Sequence, residues 1–193
     1  MSGVLTIATN HDTSPASSRL EERIQAAVEG DRGALEEVLM AVERRVFTFA
    51  WRLSGDREAA EDITQEVLLK IASHLDRYRP GSNLWAWIHR IVVNQVHDHR
   101  RGLRRELPLE EANAPGYQPE LEQQLARLQQ ALGVLTPKER EALILLDVEG
   151  YTSREAAAIV GSLSITVRTR AAHARRKVRR YLSQYYAELG EQS

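Results

Sequence analysis

Apolar residues recur at intervals of three and four along most of the chain, the spacing of one face of an α-helix. Leu35, Leu39, Val42, Val46, Phe49 and Leu53 mark an amphipathic helix over 33–53. A shorter helix precedes it from about Leu20 to Glu29 and is closed by Gly30-Asp31. Gly55-Asp56 stops the long helix, and Asp56 is placed to cap the next one. That next helix runs to about Leu75, with Ala60, Ile63, Val67, Ile71 and Leu75 facing inward. Arg79-Pro80-Gly81-Ser82 is a loop by its turn chemistry. Leu84, Trp87, Ile88, Ile91 and Val92 then define a helix continuing to about Arg101.

Beyond this point the periodicity fails. Residues 106–124 hold five acidic residues, no basic ones, and Pro108, Pro115, Gly116 and Pro119, which reads as an exposed linker. Helical pattern resumes near Leu121 and runs to Leu132. Thr136-Pro137-Lys138-Glu139 combines an N-cap, a first-turn proline and a glutamate at the third position, a helix start. This helix ends at Glu149-Gly150; Thr152-Ser153-Arg154-Glu155 opens another, closed by Gly161. Ser164 or a neighbour caps a last long helix to about Tyr186. No segment alternates as a strand does. The pattern predicts an all-α fold of two small helical domains, 20–101 and 121–188. A flexible tail (1–19) precedes them, and a flexible acidic linker (102–120) joins them.

Composition narrows the chemistry. The 193 residues are 42% hydrophobic, enough to build cores. There is no cysteine, which excludes disulfides, thiolate catalysis and a Cys-ligated zinc on this chain. No apolar run approaches the roughly 18–20 residues of a membrane span, and residues 1–20 lack the form of a signal peptide. A cytoplasmic soluble protein is the expectation.

The formal net charge of −1 argues at first against a nucleic-acid partner. Its distribution argues the other way. Arg168, Arg170, Arg175, Arg176, Lys177, Arg179 and Arg180 fall within one predicted helix that carries no acid between them. On the same helix Val167, Ala171, Ala174, Val178 and Leu182 (or Tyr181) form an inward stripe. Ala156, Ala157 and Ile159-Val160 before Gly161 supply the close helix crossing and tight turn of a helix-turn-helix. Such a second helix can enter the major groove by its N-terminal part while later arginines neutralise phosphates.

In the first domain Asp62, Gln65, Glu66 and Leu69 share an outward helix face by their spacing. Trp85 lies off the face bearing Leu84, Ile88 and Ile91. His89, Arg90, Asn94 and His97 are read as its neighbours on the outer surface, followed by Arg100, Arg101, Arg104 and Arg105. Aromatics interleaved with basic residues suit the unstacked bases of a single strand. Trp87 reads as core, and Trp85 stands equally between base contact and partial burial. His89, His97 and His99 lack a carboxylate or fourth ligand at matching spacing, so no metal site is assigned. There is no nucleophile–base set, paired-carboxylate site or phosphate-cradling loop, and no enzymatic activity is expected.

These residues carry a resemblance. The segment Asp56-Arg-Glu-Ala-Ala-Glu-Asp-Ile-Thr-Gln-Glu66 is similar to region 2 of bacterial sigma factors. So is Trp87-Ile-His-Arg-Ile-Val-Val-Asn94, followed by Asp98 and Arg100-Arg101. Leu135-Thr-Pro-Lys-Glu-Arg-Glu141, Gly150-Tyr-Thr-Ser-Arg-Glu-Ala-Ala and Thr166-Val-Arg-Thr-Arg170 resemble region 4. Two such domains with a short linker resemble the extracytoplasmic-function (group IV) sigma factors, over about residues 20–185. The resemblance implies binding to core RNA polymerase (the clamp helices of its largest subunit, and its flap) and direction of it to stress- or signal-responsive promoters. It implies Asp62, Gln65, Glu66 and Leu69 at the polymerase, and Ser82, Asn83, Trp85, Asn94, Arg100 and Arg101 at the melted −10 element. It places Arg168, Thr169, Ala172 and His173 toward −35 bases, with Arg175 and Arg176 nearer phosphates. It further implies restraint by an anti-sigma factor, in many relatives membrane-bound, and no cofactor or small-molecule substrate. Ile165 departs from the glycine that many relatives have before Thr-Val, and Ala172 and His173 from the larger or arginine side chains frequent there, so the −35 sequence is left open.

Two rivals remain at this point. Leu135-Thr-Pro-Lys-Glu-Arg-Glu also resembles the output domain of LuxR-type regulators, but block 56–101 offers no ligand or receiver pattern. A helical adaptor that binds only protein leaves the basic helix unexplained.

Overall fold

The computed structural model describes residues 15–79, 82–106 and 129–191, all helix, turn or short connection with no strand among them. They divide into two compact units, one within residues 1–109 and the other within 110–193. The linker 107–120 and the start of the predicted helix at 121 lie outside the described residues.

In the first unit, α1 (Pro15–Val28), α2 (Arg32–Ser54), α3 (Arg57–His74) and α4 (Leu84–Glu106) form the bundle, with a 3₁₀ turn at Leu75–Arg77. The predicted punctuation works as chemistry. Asp31 and Asp56 sit in extended backbone and accept from the N–H groups of Ala34 (3.1 Å) and Ala59 (2.7 Å), capping α2 and α3. Gly55 takes φ 83°, a left-handed conformation that a β-carbon would strain, so the chain can turn from α2 into α3. α2 is the central element, packing on α1, α3 and α4.

The core is built from Ile24 of α1, Val42, Val46, Phe49 and Leu53 of α2, Ile63, Val67 and Ile71 of α3, and Ile88, Val92, Val93 and Val96 of α4. Each such side chain contributes about 1.5–3 kcal/mol on leaving water. The stripe predicted on α3, from Ala60 to Leu75, is buried throughout. On α2 the N-terminal register differs: Ala34 and Val38 are buried, while Leu35 and Leu39 are only half-buried.

Three helix ends lie beyond their predicted positions. α1 begins at Pro15, inside the stretch read as a tail, because proline suits a first helical turn. α4 continues to Glu106, since Gly102 only weakens a helix and no proline follows Arg101 before Pro108. The last helix reaches Glu191.

In the second unit, α5 (Pro137–Leu143) runs into a π-helical segment, Ile144–Val148. α6 (Ser153–Val160) and α7 (Ser164–Glu191) follow. Thr136 and Thr152 each complete a capping box, with Glu139 and Glu155 returning a carboxylate to the cap N–H (2.9 and 2.8 Å). Gly161 takes φ 62° and makes the turn between α6 and α7. Ile144, Leu145, Tyr151, Ala156, Ile159, Val167, Ala171 and Ala174 form the core around which α5, α6 and α7 pack. The three alanines let α6 and α7 approach closely.

Candidate nucleic-acid interface

The α3 strip is where its spacing predicts. Asp62, Gln65 and Glu66 are exposed, and Leu69 keeps 66% of its surface in water although it is a large apolar side chain. The opposite side of α3 supplies the bundle core, so the strip is a polar face with one apolar residue at its edge.

The loop before α4 holds its own polar groups. Ser82 donates its hydroxyl to the Arg79 carbonyl (2.7 Å), and its own carbonyl accepts from the Tyr78 hydroxyl (2.7 Å). The Asn83 side chain accepts from the Ala86 N–H (3.0 Å), as an N-cap does for α4. Both of these −10 candidates therefore have structural employment. Pro80 and Gly81 lie outside the described residues.

The outer aromatic surface read from the sequence needs a correction. His89 is fully buried, and its ring stacks on Phe49 with centroids 4.0 Å apart. Burial, and then the positive fields of Arg45 and Arg52, push its pKa down to about 3, so it is a neutral core residue at ordinary pH. Its position four residues before Val93 and seven before Val96, both buried, is the signal that marks it as inward. Trp85 is half-buried, tilted against His89 (5.9 Å), with the Arg45 guanidinium 3.9 Å over its ring. Trp87 is likewise half-buried, beside Tyr78.

Further along α4 the basic residues diverge. Asn94 is exposed and His97 half-buried. Arg100 is half-buried and donates to the Leu53 carbonyl (2.6 Å) near the C-terminus of α2, a structural clamp between two helices. Arg101 remains 74% exposed and pairs with Asp98 one turn back; Lys70 and Gln95 are hydrogen-bonded beside this pair. The side chains of Arg104 and Arg105 lie outside the described residues.

On α7 the two predicted faces are present. Val167, Ala171 and Ala174 are buried, while Arg168, Thr169, Ala172, His173 and Arg176 are exposed on the other side. Val178 and Leu182, predicted inward, instead line an open groove of about 420 Å³ together with Leu143, Asp147, Arg175, Arg179 and Ser183.

The basic run is not uniformly available for phosphates. Arg175 makes a two-pronged bond to Asp147 (2.8 and 2.6 Å) that holds its pKa above the usual arginine value. Lys177 donates to Glu139 (2.8 Å). Burial would raise the Glu139 pKa, but bonds from Lys177 and Thr136 outweigh it and hold the carboxyl below its usual range. The sequence reading missed both pairs, since they join α7 to residues 28 and 38 positions earlier. Arg168, Arg176, Arg179 and Arg180 stay exposed, and Arg170 is half-buried.

Comparison with known proteins places both units in one family. Residues 38–106 match the family model for sigma-70 region 2, and residues 125–178 match sigma-70, region 4. The chain is 35% identical over 175 residues to the ECF RNA polymerase sigma factor SigE of Mycolicibacterium smegmatis, covering 84% of this chain and 68% of that protein. It is 34% identical over 154 residues to the ECF sigma factor EcfG of Rhodopseudomonas palustris, covering 75% of this chain and 83% of the relative. Among solved structures it is similar to the sigma factor RpoE of Bartonella quintana, determined in complex with the anti-sigma factor NepR. That match has a TM-score of 0.67 and 31% identity over 77% of this chain and 96% of the other. The chain belongs to the extracytoplasmic-function (ECF) RNA polymerase sigma factors of the sigma-70 family.

Proposed function

We propose that this protein is an alternative sigma factor that binds core RNA polymerase and directs it to a signal-responsive set of promoters. The observation that carries the reading is the succession of both sigma-70 regions on one chain, region 2 at 38–106 and region 4 at 125–178. In this reading Asp62, Gln65, Glu66 and Leu69 form the polymerase-binding face. The exposure of all four on α3, three of them polar, supports it. Trp85, Asn94 and Arg101 approach the melted −10 strand, with Ser82, Asn83 and Arg100 shaping that surface through the bonds described above. Arg168, Thr169, Ala172 and His173 face −35 bases from α7, and Arg176 faces phosphate. Arg175 is assigned chiefly to the Asp147 pair.

The protein acts in the cytoplasm, where polymerase and promoters are, and the reading gives it no reaction of its own. Among the described residues no helix is long and apolar enough to cross a membrane. An anti-sigma factor holds it inactive by covering the polymerase-binding surfaces of both units. Support comes from the Bartonella quintana relative, determined with such a partner bound. With no cysteine on this chain, any thiol-based sensing belongs to the partner.

Run-off transcription with purified chain and core polymerase on genomic DNA tests the reading. New start sites, distinct from those of the housekeeping holoenzyme, are expected; their absence contradicts it. Glu66→Lys is expected to weaken polymerase binding, because like charges then meet at a surface chosen for an acid. Its melting temperature should stay unchanged, and unaltered affinity removes Glu66 from that face.

A further inference from the structure

Leu163 and Ile165 are 71% and 60% exposed, the most exposed large apolar side chains of the second unit among the described residues. The fold does not ask for either. The Leu163 carbonyl accepts from the Val167 N–H (3.1 Å), so Leu163 stands where a cap residue belongs. Leucine has no side-chain oxygen to cap with, whereas Thr136 and Thr152 complete capping boxes at α5 and α6.

The placement of Ile165 is specific. Ile165, Thr169, Ala172 and Arg176 follow one another at four, three and four residues and share one face of α7. Val167, Ala171 and Ala174 on the opposite face are packed into the core. The Thr169 hydroxyl donates back to the Ile165 carbonyl (2.9 Å), so its hydrogen is committed to the backbone, leaving an acceptor oxygen and a methyl group. Ala172 offers only a methyl. Ile165 and the methyl groups of Thr169 and Ala172 therefore give the face proposed to meet the −35 element an apolar strip beside the exposed Arg168, His173 and Arg176, although the helix as a whole is strongly basic.

In the major groove, base edges present donors, acceptors and one apolar group, the C5-methyl of thymine. A side chain without donor or acceptor can select a base there only through that methyl. We infer that Ile165, adjoined by Leu163 and by the methyl groups of Thr169 and Ala172, reads thymine methyls in the −35 element and adds a preference there to that of the arginines. This rests on α7 being the −35 reader. The arginines to either side supply phosphate binding and any guanine contact.

Deoxyuridine tests it, because it keeps the pairing and hydrogen-bonding edge of thymidine and removes only the methyl. Holoenzyme is assembled with the full chain, its −35 element is mapped by run-off transcription, and each thymidine in it is replaced singly by deoxyuridine. At one or more positions promoter binding by the unaltered chain should fall about fourfold, the value of one buried methyl. Ile165→Ala should bind the thymidine promoter about as weakly as the deoxyuridine one, so that its ratio between the two approaches one. Ile165→Val should retain an intermediate preference. The inference is overturned if the −35 element holds no thymine, if no replacement affects the unaltered chain, or if Ile165→Ala keeps the full ratio. Those results leave the sigma reading standing as long as initiation occurs. A chain that supports no initiation overturns both.

Discussion

In the first unit, four side chains suited by type to touch DNA are held by the fold itself; in the second, the face of α7 opposite the core is left to solvent. Ser82 and Asn83 bond within the loop and the first turn of α4, His89 is stacked in the core, and Arg100 clamps the end of α2. On α7, Arg168, Ala172, His173 and Arg176 are exposed, and Arg175 and Lys177 are the exceptions, turned onto Asp147 and Glu139. The difference follows from architecture. α4 packs on both α2 and α3, so polar residues on it and at its start find partners. A helix that packs through a row of valine and alanine presents the rest of its circumference outward.

The comparison can be broken first at Phe49, which is buried against His89. Phe49→Ala is expected to cost about 3–5 kcal/mol of stability, measured by denaturant unfolding, through a cavity at the centre of the bundle. A cost near zero would mean that the His89 stack is not core.

Acid comes next. The His89 pKa is about 3 in the folded protein against 6.5 ordinarily. Between those values the unfolded chain binds a proton that the folded chain refuses, so stability falls as pH falls below 6.5. The loss amounts to roughly 2 kcal/mol by pH 5. His89→Leu should flatten that arm of the stability profile relative to the unaltered chain; parallel profiles would contradict burial of the neutral ring.

Arg100 and Arg101, adjacent in sequence, should separate by kind. Arg100→Ala loses a charged hydrogen bond to a helix end and should cost about 1.5–3 kcal/mol of stability. Arg101→Ala, at an exposed pair with Asp98, should change stability by less than about 0.5 kcal/mol while weakening promoter opening. Equal melting temperatures for the two variants would erase the distinction.

Much of this was legible in the residues. The caps at Asp56, Thr136 and Thr152, the turn at Gly161 and the core stripe of α3 follow from local chemistry, and local chemistry is what a sequence displays. The register of early α2 was not, because Ala34-Leu35 and Val38-Leu39 offer two adjacent apolar stripes and only the neighbouring helices choose between them. His89 was read by residue type instead of by its spacing from Val93 and Val96. The Asp147–Arg175 and Glu139–Lys177 pairs depend on how α5 and its π-helical continuation lie against α7, which no local pattern encodes. The long basic run therefore overstated the charge available to DNA.

The most direct measurement of the central claim is promoter discrimination by the Arg168→Ala holoenzyme on templates substituted base by base across the −10 and −35 elements. If the exposed face of α7 reads the −35 element, discrimination should relax at one or two −35 positions by about 1–3 kcal/mol, with the −10 profile unchanged. A uniform loss on every template would make Arg168 a phosphate contact, and an altered −10 profile with an intact −35 profile would contradict the assignment of the reading face to α7.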